Sequence, residues 1–312
     1  MTLVVGTDEA GYGPNLGPLV VAATAWRIGA APTAVEAALE AAGVRLEGPS
    51  GRPLWADSKQ VLRGGTGLAA LEAGALVGLA TAGSSVPRNW TELAAGVGPE
   101  AVAPATGAHA LEAIALPLVA DPAVVAGQAA AVRADLRRQD IVLQAVRVRV
   151  VHAGEFNGLL DRGLNKSDLL SQVTLDLAAA LRAGADGPVR VWCDRHGGRR
   201  RYAPLVARHF DATLVQPVEE TAARSVYEVP AASCRVEFCV GGESRLPVAL
   251  ASMTAKYVRE VLMRAFNDHW SARCPGLEPT AGYPVDAARW RSAAADAVER
   301  EGVPWDEIWR RT

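Results

Sequence analysis

Apolar positions along the chain fall into two rhythms. Residues 3–7 and 18–26 are short apolar runs joined by a Gly/Pro-rich turn, and they predict two strands paired antiparallel. Residues 141–151 alternate Val146, Val148 and Val150 against Arg147 and Arg149, the period of a half-exposed strand. Residues 188–193 are short and mostly apolar, as expected of a buried parallel strand, and 234–240 read as another. Helical spacing covers 35–42, 68–82, 123–138, 202–210, 248–266 and 287–301. Ser167 is expected to cap a helix over 168–182. Residues 83–122 keep no sustained period beyond a short helical stretch near 108–115, and they read as an insertion or flap. Residues 55–60 and 274–286 read as loops. Strands first, then strand and helix in alternation, predict an α/β fold with a mixed sheet flanked by helices.

Composition narrows the picture. The 312 residues are half apolar and 21% charged, enough for a sizeable core in one large domain or two smaller ones. A formal net charge of −2 gives no global case for nucleic-acid binding, so any such case must be local. Cys193, Cys234, Cys239 and Cys274 form no C-x-x-C pair, so no zinc knuckle or disulfide framework is expected and a reducing cytoplasm is the default. The five histidines show neither HxH nor HExxH, against a histidine-ligated zinc site. Met1 leads almost directly into the first strand without a basic region, so no signal peptide is expected. No apolar run approaches the roughly 20 residues needed to span a bilayer, and no membrane partner is expected.

Three acidic sites share a context. Asp8 and Glu9 end the first apolar run, Asp194 ends the run at 188–193, and Glu243 follows the run at 234–240 behind Gly241-Gly242. Carboxylates where a buried strand gives out are costly unless a cation meets them, be it Lys, Arg or a metal. In a sheet with parallel neighbours, the carboxyl ends of strands line the edge where ligands bind. Four carboxylates gathered there stay ionised only if divalent cations neutralise them, and all-oxygen ligation favours Mg²⁺ or Mn²⁺. Two such ions can activate a water and stabilise the leaving oxygen of a phosphodiester. Any one of these acids alone reads first as a solvated strand end. Their company changes that. Gly11 and Gly13 follow the first pair, and residues 189–201 carry five arginines against one aspartate, a local charge of +4. Beside carboxylates, such a run suits phosphate oxygens.

The residues then reach a resemblance. Asp8-Glu9-Ala10-Gly11-Tyr12-Gly13-Pro14-x-x-Gly17-Pro18 resembles the opening signature of the type 2 ribonucleases H, the HII/HIII group, usually D-E-A-G-R-G-P-x-x-G-P. Asp57-Ser58-Lys59 is similar to the family's D-S-K, and Asn157 and Asn165-Lys166 to its Asn-bearing stretch. Residues 250–256, Leu-Ala-Ser-Met-Thr-Ala-Lys, are similar to A-A-S-I-x-A-K/R, and Gly282-Tyr283-Pro284-Val285-Asp286 matches G-Y-P-x-D. The matches run from Thr7 to Asp286. The opening motif is specific, whereas the shorter ones alone are weak.

The resemblance implies an RNase H-like fold, with a five-stranded mixed sheet and helices on both faces, and two-metal hydrolysis of RNA paired to DNA. It implies one catalytic domain over 1–312, with 83–122 inserted and a helical part over 274–312. Asp8, Glu9, Asp194 and Glu243 would be the catalytic acids and would hold two Mg²⁺ or Mn²⁺ ions, with Glu237 as the fallback for Glu243. Gly11, Tyr12 and Gly13 would approach the ribose 2′-hydroxyl, and Tyr283 would stack on the adjoining sugar. Ser58, Lys59, Asn157, Asn165, Lys166 and Arg195 complete the implied substrate contacts. Tyr12 departs from the family's arginine, leaving Arg195 or the 199–201 run to replace it. No sliding-clamp peptide is evident near the C-terminus, and a monomer is expected. Two other readings stay open: a nuclease on the same scaffold acting on branched DNA, and a non-catalytic paralogue that binds nucleic acid.

Overall fold

The computed structural model describes residues 1–46, 53–55 and 67–311, the Arg45 side chain excepted. Asp57, Ser58 and Lys59 lie outside the described residues. The described strands are β1 (Thr2–Ala10), β2 (Leu19–Ile28), β3 (Ile141–Val151), β4 (Val189–Asp194), β5 (Gln216–Glu220), β6 (Arg224–Val229) and β7 (Cys234–Cys239). They form one mixed sheet in the order β3-β2-β1-β4-β7-β6-β5. β1, β4 and β7 run parallel side by side, and the remaining neighbours pair antiparallel.

Seven strands replace the expected five. The two unforeseen strands are the hairpin β5–β6. Pro217, Glu219 and Glu220 make 216–220 look like a loop in sequence, and four of its five residues are exposed. A polar strand carrying proline is what a sheet edge tolerates.

The described α-helices are α1 (Val35–Arg45), α2 (Gly67–Thr81), α3 (Trp90–Val97), α4 (Ala108–Glu112), α5 (Pro122–Arg138), α6 (Ala153–Asp161), α7 (Lys166–Arg182), α8 (Ala203–His209), α9 (Leu246–Ser271), α10 (Pro284–Arg300) and α11 (Trp305–Ile308). One apolar core joins Val4, Ala22 and Val148 of the sheet to Leu76 of α2, Leu136 of α5 and Val258 of α9. The opposite face of the sheet packs Val5, Val21 and Val191 on Phe156 of α6, Leu170 of α7 and Val206 of α8. A third cluster gathers Trp270, Trp290 and Ile308 around Leu16.

Two features of this packing position the site. A Cβ on Gly6 would stand 2.4 Å from the Pro247 backbone, so glycine there lets α9 lie directly on β1. The α7 cap is Asn165 rather than Ser167: its side chain accepts from the Asp168 N–H at 2.9 Å, and the helix starts at Lys166. Asparagine reaches that N–H from the extended backbone it adopts here, as an N-cap should.

The segment 83–122 is more regular than its sequence suggests. It holds α3 and α4, and Trp90, Leu93, Leu111 and Ile114 join the first core. Glu72, fully buried in α2, anchors its end by accepting the N–H groups of Leu118, Val119 and Ala120 and the Tyr257 hydroxyl. No described helix is long and apolar enough to cross a membrane.

Candidate active site

Asp8 and Glu9 lie inside β1, across from Ala22 and Val21 of β2, because the antiparallel ladder continues to Ala10. At this end of the strand the two carboxyls lie close enough to act on each other. The parallel β1–β4 ladder sets Thr7 against Cys193, which brings Asp8 and Asp194 to adjacent strand ends. The β4–β7 ladder sets Asp194 against Cys239. The chain then turns through Gly241 into a short 3₁₀ turn, Gly242–Ser244, that carries Glu243. The Gly242 N–H donates to Asp194 Oδ1 at 2.9 Å and ties this turn to the strand end. Three sequence-distant acidic sites therefore meet at the carboxyl ends of three neighbouring parallel strands.

Their electrostatics reflect the crowding. Asp8 is buried, and burial first, then the charges of Asp194 and Glu243, push its carboxyl up to about 7. Glu9 is raised well above the usual carboxylate range by burial, then by Asp8 and Asp194. Asp8 Oδ1 accepts the Glu9 N–H at 2.8 Å. Asp8 Oδ2 is buried without a hydrogen bond of good geometry among the described residues, although the Ser252 hydroxyl is near enough to favour the charged form slightly.

Lys256 supplies the counter-charge, lowering the carboxyls of both Asp8 and Glu9. Its Nζ stands 3.4 Å from Glu243 Oε1 and 2.9 Å from Ser252 Oγ. Ser252 and Lys256 are four residues apart on α9, so one helix face presents both to the carboxylates. Neither was among the expected site residues. The signal was their i, i+4 spacing inside the 250–256 motif, and it needed the packing of α9 on β1 to gain meaning.

Glu237 lies one strand pleat before Asp194, level with Trp192, and is buried. Three arginines take its carboxylate: Arg224 at 2.6 Å, Arg235 at 3.1 Å and Arg245 at 3.2 Å. They hold it below the usual carboxylate range, with Arg245 foremost, against the opposing effect of burial. Glu243, by contrast, acts on Asp8.

The oxygen donors, with Asp8 Oδ2 buried among them, suit a hard divalent cation such as Mg²⁺ or Mn²⁺ in chemistry. In the arrangement the side chains adopt, no three His, Cys, Asp or Glu among the described residues converge closely enough to hold an ion. Ion binding would therefore require these carboxylates to draw together.

The glycine loop leads away from Glu9. Gly11 has φ 84, and a Cβ there would stand 2.5 Å from Arg259 Nε. Gly13 is different: a Cβ would meet nothing within 4 Å, so the protein interior does not require glycine there, and the space lies open to an outside group. Tyr12 lies between the two. The Lys166 amine is 5.5 Å from the centre of its ring, and its hydroxyl lies against Gly197. Burial, then Glu9, raise the Tyr12 phenol. Tyr283, 57% exposed, follows Gly282, whose carbonyl accepts the N–H groups of Asn15 at 2.8 Å and Leu16 at 3.2 Å. The two glycine motifs, far apart in sequence, therefore share one wall.

Other expected contacts are engaged elsewhere. Asn157 is buried. Its Nδ2 donates to the carbonyls of Asp306 at 3.0 Å and Trp309 at 2.8 Å, and its Oδ1 accepts the Arg311 N–H at 2.9 Å. Both side-chain ends thus clamp the C-terminal tail. Asn165 caps α7. The Arg195 guanidinium donates to the carbonyls of Arg199 at 2.8 Å, Thr221 at 2.9 Å and Ala222, bracing its loop against the turn between β5 and β6. Arg199 bonds Ser167 at 3.0 Å and pairs with Asp168. Arg201, 88% exposed at its side chain, faces outward.

No protein-family model and no curated protein matches this sequence. Over nearly its whole length the chain is similar to solved type 2 ribonuclease H structures. RNase HII of Archaeoglobus fulgidus, solved as a PCNA complex, is 13% identical, with 98% of this chain and 93% of that one covered at a TM-score of 0.44. Ribonuclease H2 of Pyrococcus horikoshii OT3 is 15% identical, with 98% and 92% covered and a TM-score of 0.41. Bst-RNase HIII in complex with Mn²⁺ is 17% identical, with 99% and 66% covered and a TM-score of 0.44. Likeness this distant does not by itself assign an activity.

Proposed function

We propose that this chain is a type 2 ribonuclease H-like endonuclease that uses divalent metal to hydrolyse the RNA strand of RNA/DNA hybrids. The observation that carries this reading is the meeting of Asp8, Glu9, Asp194 and Glu243 at three parallel strand ends, directly beside the Gly11–Gly13 loop. The motif resemblance across 7–286 supports it. The whole of 1–312 is read as one catalytic unit working in a reducing compartment.

Asp8, Glu9, Asp194 and Glu243 would hold Mg²⁺ or Mn²⁺. Two divalent ions held there would activate a water and stabilise the leaving oxygen. The chain's own residues do the rest. Lys256 Nζ offsets the carboxylate charge and fixes Glu243, while Ser252 fixes Lys256. The raised carboxyls of Asp8 and Glu9 mark a site whose charge is unbalanced without a cation. Gly13 leaves room for a ribose to approach the loop backbone, and a 2′-hydroxyl is the group by which RNA is told from DNA. Tyr283, exposed on the same wall, offers a face to an adjoining sugar. Outward arginines of the 195–201 loop suit phosphates.

The test is cleavage-site mapping with Mg²⁺ and with Mn²⁺ on three substrates: a hybrid, a duplex with one ribonucleotide, and branched DNA. Cleavage of the hybrid on its RNA strand, leaving 3′-hydroxyl and 5′-phosphate ends, is expected. Cutting of branched DNA without ribose would replace this reading with a structure-specific DNA nuclease, for which Tyr12 in place of arginine is the motivating residue. Absence of cleavage and of ion binding would leave a nucleic-acid-binding paralogue.

A further inference from the structure

The most unusual group outside the carboxylate cluster is Arg310. It is 1% exposed, although arginine is among the side chains least often buried. Among the described residues no carboxylate pairs with it. Its Nη2 donates to the carbonyls of Gly11 at 2.6 Å and Pro14 at 2.5 Å. Its Nε and Nη1 are buried without a hydrogen bond among the described residues, and its Cζ lies 5.0 Å from the Phe156 ring centre. Burial, then a second cation, Arg259, pull the Arg310 guanidinium down to about 9.

The tail that delivers Arg310 is fastened at several points. Trp309 bridges Leu16 in antiparallel fashion. The Arg310 N–H donates to the Asn15 carbonyl at 2.7 Å, and Asn15 Nδ2 returns a bond to the Arg310 carbonyl at 3.0 Å. The Arg291 guanidinium lies 4.8 Å from the ring centres of both Trp305 and Trp309. Asn157 grips the tail from α6. A methionine or leucine could fill the Arg310 site without the cost of burying a charge. What only a donor can do there is hold two loop carbonyls.

That hold has a directional consequence. The Gly11 carbonyl and the Tyr12 N–H belong to one planar trans peptide and point opposite ways. Drawing the carbonyl down onto Arg310 turns the Tyr12 N–H to the outer side of the loop. The Pro14 carbonyl acts likewise on the Asn15 N–H, which does point away, to Gly282.

We infer that Arg310 is a positioning residue for substrate binding, clamping the Gly11 and Pro14 carbonyls so that the loop presents its outward amide to a ribose of the bound strand. This rests on the nuclease reading above. In the related motif position 12 is an arginine; in this chain position 12 is Tyr12, and the guanidinium that orders the loop arrives from the C-terminal tail.

The test compares full-length wild type, Arg310→Met and Arg310→Lys by two measurements. The first is hydrogen–deuterium exchange, which does not need activity. Arg310→Met should speed exchange in 11–16 by about tenfold while the amides of β2 and β3 stay as in wild type. Lysine, a single point donor, should fall between. The second is steady-state cleavage of a hybrid. Arg310→Met should raise KM about tenfold, with kcat within about threefold because the carboxylates are untouched, and Arg310→Lys should recover part of the loss. Wild-type exchange at 11–16 in a folded Arg310→Met would overturn the inference, as would an unchanged KM. Should Arg310→Met not fold, Arg310→Lys decides by the same readouts. If wild type cuts no hybrid, the nuclease reading fails, and with it the substrate-binding role. The exchange result then separates a loop clamp without a ribose ligand from no clamp at all.

Discussion

Asp8→Asn should make the protein more stable and inactive at once. An aspartate ordinarily loses its proton near 3.8, whereas burial, Asp194 and Glu243 let Asp8 hold its proton to about 7. Between those two values the unfolded chain has released a proton that the folded chain still binds, so without divalent ions stability falls as pH rises through that window. At about 1.4 kcal/mol per tenfold, the gap is worth about 4 kcal/mol at most by pH 7.5. Asp194 and Glu243 share the strain, and asparagine must still be desolvated, so a gain of about 2 kcal/mol is the working expectation. For a chain of this size that raises Tm by about 3 °C. The assay is thermal melting at pH 7.5 in EDTA, then with excess Mg²⁺ or Mn²⁺, beside hybrid cleavage. Ions should raise the Tm of wild type by mass action and raise that of Asp8→Asn much less. Cleavage should be lost. A mutant that melts below wild type in EDTA, or cuts at the wild-type rate, would refute the reasoning.

Three more expectations follow from named contacts. Glu237→Gln removes the buried carboxylate that Arg224, Arg235 and Arg245 share, leaving them Glu219, Glu228 and Glu36, and should cost about 2 kcal/mol in urea unfolding, whereas Glu243→Gln should abolish cleavage with little loss of stability; the reverse pattern would make Glu237 the functional acid. Asn157→Ala releases the tail and should cost about 2 kcal/mol, read as earlier proteolysis beyond residue 304. His269 is buried with neither ring nitrogen hydrogen-bonded among the described residues, and burial, then Arg273 and His109, lower it to about 4, so its neutral form supports the fold above about 6.5. That support is lost as pH falls, by about 2 kcal/mol at pH 5, and His269→Leu should flatten the decline in urea unfolding between pH 7 and 5.

Much of the fold was legible because local rules were enough. The strand at 141–151 and the helices at 35, 68, 123, 248 and 287 announced themselves by period; the structure moves most of their ends by three residues or fewer and carries the 248 helix five residues further, to Ser271. The hairpin β5–β6 was not legible. Edge strands owe their existence to a neighbour's backbone rather than to their own apolar pattern, and Pro217 with Glu219 and Glu220 conceals one. Helices α3, α6 and α11 are short, and their stability comes from packing rather than propensity.

What the sequence determined by itself was the candidate chemistry: two adjacent acids at a strand end, two more at later strand ends, glycines beside them and a basic loop. Tertiary structure decided the company these residues keep. Parallel pairing of β1 with β4, and of β4 with β7, brings Asp8, Asp194 and Glu243 into mutual electrostatic reach. Packing of α9 on Gly6 delivers Lys256 and Ser252, and the strapped tail delivers Arg310. The same packing gives Glu237, Asn157 and Arg195 partners that no spacing foretold. The physical reason is the range of the forces. Period and capping act over a few residues, whereas burial and charge act between groups that only the fold brings close.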